Sequence, residues 1–320
     1  MNLFVQYYTS IIKNPLNIVD VGSSGGCKEV NLLAKISNVY TIDPRPESYN
    51  QDFNQFQNFA FGLFYKEGIR KLFITRDPRA SSIYEPNKSV ISQWRKDDAF
   101  NLEKTEDINC TTLDILMSKS DVHSIDLLKL DTQGSELDIL LGASDYISKV
   151  SIIKIEVAFI EIYKGQHLFD EVVAYLAGKK FKFLMFFDGG YQYLPNEKVK
   201  KPIWADALFI RTDLEEQSIL KSIAIFIDQG YYTEAKYLEK NYLNSNEIYN
   251  NFIEAKFRCE NPRSYLILNI LTKRFRKFLI FIYRTLYSNT VLNYIIRKSS
   301  KNKKIGSYLY LVIMRLKRFQ

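Results

Sequence analysis

The 320 residues carry 44 Lys and Arg against 36 Asp and Glu, a net charge of +8, and 46% are hydrophobic, enough for one large α/β domain plus an appendage. Three scattered cysteines, Cys27, Cys110 and Cys259, exclude a disulfide framework and a zinc cluster and point to a reducing compartment, and no metal ligand set is expected. With no basic n-region at the start and no stretch of about 18 uncharged apolar residues, the expected location is the cytoplasm, soluble or peripheral at a membrane surface.

Apolar, β-rich runs stand at Leu16 to Val21, Asn38 to Ile42, Phe59 to Leu63, Ile125 to Leu130, Ser151 to Val157, Phe181 to Phe187 and Ala207 to Ile210. Helical patterns lie between most of them, such as the run from Lys28 through Val30, Leu33 and Ala34, and Val172, Val173 and Leu176. Alternation of this kind predicts a mostly parallel sheet covered on both faces. The segment Gly62 to Arg79, with turn signals at Lys66 to Gly68 and Asp77-Pro78, reads as a hairpin or irregular insertion on the substrate side. After Arg211 only helices are expected, over Leu214 to Asp228, Thr233 to Leu243 and Asn246 to Phe257, with Gly230 ending the first. The division is 1–212 for the sheet domain, 213–260 for a helical segment and 261–320 for a basic amphipathic tail.

At the end of the first strand stands Asp20-Val21-Gly22-Ser23-Ser24-Gly25-Gly26. A tight strand-to-helix turn needs residues without bulky Cβ groups and exposes backbone N–H groups at a positive helix end, a geometry that suits a nucleoside cofactor. The second strand ends at Asp43-Pro44, where a carboxylate can accept both ribose hydroxyl hydrogens. A dinucleotide site also pairs a glycine loop with an acid about 20 residues on, but the G-x-x-G-G spacing lacks its G-x-G-x-x-G order. A third element, Ile125 to Leu130 followed by Asp131-Thr132-Gln133-Gly134-Ser135-Glu136, delivers Asp131 to the carboxyl edge of the sheet, where open α/β sheets bind ligands.

With Asp20 to Gly26, Asp43-Pro44, Thr112-Leu113-Asp114, Ile125 to Ala143 and the block from Ile155-Glu156 to Val172, the chain resembles the FkbM-type family of S-adenosylmethionine-dependent methyltransferases over about residues 15–211. The resemblance implies a Rossmann-like class I methyltransferase fold, a mostly parallel seven-stranded sheet, here with a C-terminal all-helical extension. It implies S-adenosylmethionine as cofactor, held by Asp20, Gly22, Ser23, Gly25, Gly26, Asp43, Pro44 and Asp131. It also implies methyl transfer to an oxygen of a sugar, glycan or other small metabolite. Three positions depart from the family: Asp43 where Glu is usual, Ser24 where Asn is common, and Gln133 where Glu is usual.

A protonated hydroxyl is a weak nucleophile, so a general base is expected. Asp131 serves either as that base or as the partner of the cofactor's amino group. Glu156 follows Ile152, Ile153 and Ile155 and is poorly explained by packing alone, and His167 follows a turn at Gly165 and is of the residue type most used for proton transfer. Asp114 reads as a helix N-cap, the Ser81 to Tyr84 loop lines the pocket in this family, and Trp94 and Trp204 read as core or rim aromatics. From Asn261 to Gln320 there are 14 Lys and Arg and no acid, leaving 30 basic against 36 acidic residues before it. Such a tail suits an anionic membrane surface, or a helical face packed on the core with solvated cations; nucleic acid is the weaker reading. The alternative functions are an RNA or protein methyltransferase that grips a polyanion with this tail, and a non-catalytic binding module.

Overall fold

The computed structural model describes residues 1–261 apart from 24–25, 47–51, 94–96, 121, 194–199, 244 and 246. The basic tail, Trp94, Ser24 and Gly25 therefore lie outside the described residues. Two compact bodies are present, one formed by Pro15–Ser222 and the other by Met1–Asn14 with the chain from Ile223 onward.

The first body is built on two sheets. Its strands in chain order are β1 (Leu16–Val21), β2 (Ser37–Ile42), β3 (Gln55–Phe59), β4 (Gly62–Leu63), β5 (Gly68–Thr75), β6 (Leu102–Thr111), β7 (Ile125–Leu130), β8 (Val150–Ala158), β9 (Phe181–Tyr193) and β10 (Lys200–Arg211). Seven form one sheet in the order β3-β2-β1-β7-β8-β10-β9, and β4-β6-β5 form a smaller one. From β3 across to β8 every pairing is parallel, whereas β10 runs antiparallel to both β8 and β9. The central strands β1, β7 and β8 are buried on both faces through Ile18, Val19, Leu127, Leu128, Ile152 and Ile153, which is why they read as continuous apolar runs.

The helices of this body are α2 (Lys88–Ile91), α3 (Leu113–Ser118), α4 (Glu136–Leu141), α5 (Phe169–Gly178) and the start of α6 (Glu216–Gln229). Two expectations change here. No α-helix follows the glycine loop: the segment from Lys28 is irregular and ends in a single 3-10 turn at Ala34–Ile36. The Glu29 carboxylate is instead drawn inward onto Lys154 Nζ at 2.9 Å, and Cys27 and Leu33 are fully buried, so side-chain anchoring holds this link in place. The apolar run Phe59 to Leu63 is divided between sheets, since β3 ends at Phe59 and β4 begins at Gly62. The cap of α3 is Thr112, whose hydroxyl accepts from Ile115 N at 3.1 Å. Asp114 accepts from Ser144 Oγ and from the N–H groups of Asp145 and Tyr146.

The second body contains α1 (Leu3–Ile11), the end of α6, α7 (Tyr232–Leu238) and α8 (Ile248–Glu260). Gly230, with φ +89°, terminates α6 as expected of a C-terminal glycine. Tyr7 packs edge-on against Phe252, and Lys256 Nζ donates to the carbonyls of Ile227 and Asp228 at the α6 terminus. No helix among the described residues is long and apolar enough to cross a membrane.

Candidate active site

The chain leaves β1 to build β2 and β3 on one side, then returns to lay β7 on the other, so the switch point of the sheet lies between the ends of β1 and β7. Asp131 N donates to Val21 O at 3.1 Å and Gly22 N to Ile42 O at 3.0 Å, tying three strand ends together. At Gly22, with φ +77°, a Cβ would stand 1.8 Å from Asp131 O. Close backbone approach, not a helix terminus, is what requires this glycine.

Around the switch point opens a cavity of about 1080 Å³. Gly22, Asp43 and Pro44 wall one part, Asp131, Gln133 and Glu156 another, and Trp204 with Tyr191 a third. Asp43 shapes its own turn, accepting at Oδ1 from Arg45 N at 2.8 Å. The Trp204 indole packs closely on Gly190, where a Cβ would meet its Nε1 at 2.2 Å.

The turn after β7 is unusual. Gln133 has φ +61° and Gly134 φ +111°, and a non-glycine residue in the left-handed region needs outside support. Glu136 provides it: its buried carboxylate accepts from Thr132 N at 2.7 Å and from Gly134 N at 2.9 Å. Ser82 Oγ donates to Gln133 O at 2.7 Å. The Gln133 amide in turn donates to Asp131 Oδ1 at 2.9 Å and Glu156 Oε1 at 3.2 Å.

Strand register gathers the remaining charges. Lys129 lies opposite Asp20 on β1 and Lys154 on β8, and Asp206 lies opposite Glu156 and Asp188. Lys129 Nζ reaches Asp20 Oδ1 at 3.1 Å and Asp131 Oδ2 at 3.6 Å. Burial opposes the lysine's charge, but Asp20, Asp131 and Glu29 together hold it above the ordinary lysine range. One lysine shared by Asp20 and Asp131 does not satisfy both of them. Burial pushes Asp20 up to about 6 despite Lys129, and Asp20 Oδ2 is buried with no partner among the described residues. Asp206 is pushed up to about 6 by burial and by Asp131, and burial with Asp131, Glu136 and Asp206 raises Glu156 well above the usual carboxylate range.

Burial also carries Glu136 from the ordinary 4.5 up to about 7, against the hydrogen bonds that favour its ionised form. A folded value above the unfolded one contributes stability that is fully present below pH 4.5 and is lost as pH rises through about 7. The stability advantage of the natural chain over Glu136→Gln is therefore expected to shrink across that window, read from urea midpoints. An advantage that grows with pH would refute this account.

Of the residues singled out in the sequence, Gly22, Asp43, Pro44, Asp131 and Glu156 meet at the cavity wall. Asp20 is buried, and Ser23 and Gly26 are not among the wall residues. His167 is not brought to the group: its Nδ1 sits 2.9 Å from Glu171 Oε1 at the start of α5. There Glu171 accepts from Leu168 N and closes the helix end, so local capping decides where the histidine points. Lys129 and Asp206 escaped notice, although each interrupts an apolar strand as conspicuously as Glu156 does. Asp77 and Arg79 also line the cavity, paired to each other at 2.8 Å.

Fold and cavity together define an α/β protein with a cavity at the carboxyl edge of a seven-stranded sheet. The chain belongs to the methyltransferase FkbM domain family, whose model matches residues 20–192. It is an S-adenosylmethionine-dependent methyltransferase. The residues present suit that cofactor: a cavity of sufficient size, a glycine turn without a side chain at Gly22 and an acid, Asp43, directly after β2. No curated protein sequence matches the chain. Among solved structures, magnesium protoporphyrin IX methyltransferase from Synechocystis with bound SAM is similar at 12% identity and TM-score 0.29, covering 66% of this chain and 76% of that one. TrmK of M. capricolum with S-adenosylhomocysteine is similar at 13% and 0.23, covering 82% and 95%. These likenesses are slight, and the architecture rests on the strand order itself.

Proposed function

We propose that this chain is an O-methyltransferase acting on a hydroxyl of a sugar, glycan or similar small metabolite. The observation that carries the reading is the pair of carboxylates, Asp131 and Glu156, joined through one amide at the cavity wall beside the Gly22 turn. The strand order with its single reversed strand supports a Rossmann-like class I methyltransferase sheet. When bound, S-adenosylmethionine supplies an electrophilic methyl group. Val21-Gly22 and Asp43-Pro44 hold the nucleoside side, and Asp131 and Glu156 face the acceptor. One of these carboxylates would take the proton that the acceptor hydroxyl gives up when it is methylated. A carboxylate raised by burial is a stronger base than a solvated one, which favours Glu156 for that step. Trp204 and the exposed Tyr191 offer the apolar faces on which a sugar ring rests.

Calorimetry with S-adenosylmethionine tests the placement: Asp43→Ala is expected to weaken binding roughly tenfold to a hundredfold, the worth of hydrogen bonds to a charged group. Binding unchanged in that variant rejects it. Labelled methyl transferred to monosaccharides or extracted glycans as an alkali-stable ether supports the oxygen assignment. Label recovered on nitrogen overturns it.

A further inference from the structure

Both N–H groups of the Gln133 amide are engaged at the cavity wall. Nε2 donates to Asp131 Oδ1 at 2.9 Å and to Glu156 Oε1 at 3.2 Å, while Oε1 lies 3.1 Å from the hydroxyl of the buried Tyr163. An amide has two N–H donors, so both are engaged by the two carboxylates. Turning it over would set its carbonyl against both anions. The backbone is held just as firmly by Glu136 and Ser82, in a left-handed conformation that needs such support.

Resting on the methyltransferase reading above, we infer that Gln133 is a positioning residue whose amide clamps Asp131 and Glu156 side by side as hydrogen-bond acceptors on the cavity wall. Without it, Asp131 and Glu156 lose the donor they share, and the acids around Glu156 press it further toward its protonated form. A glutamate of the same length brings a third carboxyl into the group and removes both donors. The titratable groups around Glu156 are Asp131, Glu136 from α4, Asp206 from β10 and the phenol of Tyr163; Lys129 reaches the group through Asp131. Three of these four are acids that push Glu156 toward its protonated form, and the Gln133 hydrogen bond opposes them.

The test is a ¹³C carboxyl titration of the full chain, with the Glu156 signal identified by its loss in Glu156→Gln. In Gln133→Asn, which tolerates left-handed backbone but is one methylene short of Glu156, Glu156 is expected to titrate at higher pH than in the natural chain. In Gln133→Glu it is expected to titrate higher still. A Glu156 titration unmoved or lowered in Gln133→Asn overturns the clamp, and the same result in Gln133→Glu does so if the Asn chain fails to fold. Calorimetry with S-adenosylmethionine on the natural chain separates the two levels. Absent binding removes the methyltransferase reading while the titration still decides the hydrogen bonds, and binding with an unmoved Glu156 removes the clamp alone.

Discussion

Gly22→Ala is expected to cost about 2 to 5 kcal/mol of stability, the sum of overpacking and left-handed strain, and to abolish S-adenosylmethionine binding. Its φ is +77° and the new Cβ would meet Asp131 O at 1.8 Å. No rotamer relieves that clash, because both partners are backbone. Either β1 parts from β7, breaking the bond from Asp131 N to Val21 O, or the turn rebuilds and takes the cavity wall with it. Gly165 is the natural control, with φ +79° and nothing within 4 Å of its ideal Cβ. Gly165→Ala is expected to cost only the backbone strain, about 1 to 2 kcal/mol. Equal urea midpoints for the two variants would show that strain, not close approach, governs position 22.

The second large effect is expected at Lys129, whose ammonium is mostly buried between Asp20 and Asp131. Lys129→Met keeps the apolar stem and removes the charge, leaving the buried Asp20 carboxylate uncompensated at a cost of about 3 to 5 kcal/mol. The attraction exists only where Asp20 is ionised, so the loss is expected to grow as pH rises through about 6, the folded value of Asp20. Adding Asp20→Asn removes the stranded charge and is expected to restore part of the stability, since a neutral pair replaces a broken ionic one. A double variant no more stable than the single one, or a loss independent of pH, would sink this assignment.

Both arguments turn on a few strand ends, and these were legible early. The apolar runs of β1, β7 and β8 announce buried parallel strands because neither face meets water. Asp43-Pro44 and Asp131 follow directly from where those runs stop. Local periodicity misled where a side chain had a distant partner. Leu33 and Ala34 suggest a helix, but Glu29 is committed to Lys154, and the link between β1 and β2 is drawn in against the sheet instead. His167 was singled out by its residue type and its place after the Gly165 turn, and Glu171, four positions on, holds it at a helix start.

The amino-acid sequence by itself determined the buried central strands, the glycine turn, the acids at their ends and the family, whereas β3 and β6, mostly exposed and weakly apolar, carried no such signal. Tertiary structure alone decided which charges meet. Asp20, Lys129 and Lys154 share one line across three strands, and Glu156, Asp206 and Asp188 share another. Such alignments depend on register, where a slip of one residue turns every side chain to the opposite face. Register is set by the packing of the whole sheet, which no short stretch contains. The role of Gln133 belongs to the same class: its amide has meaning only once β8 has brought Glu156 alongside Asp131.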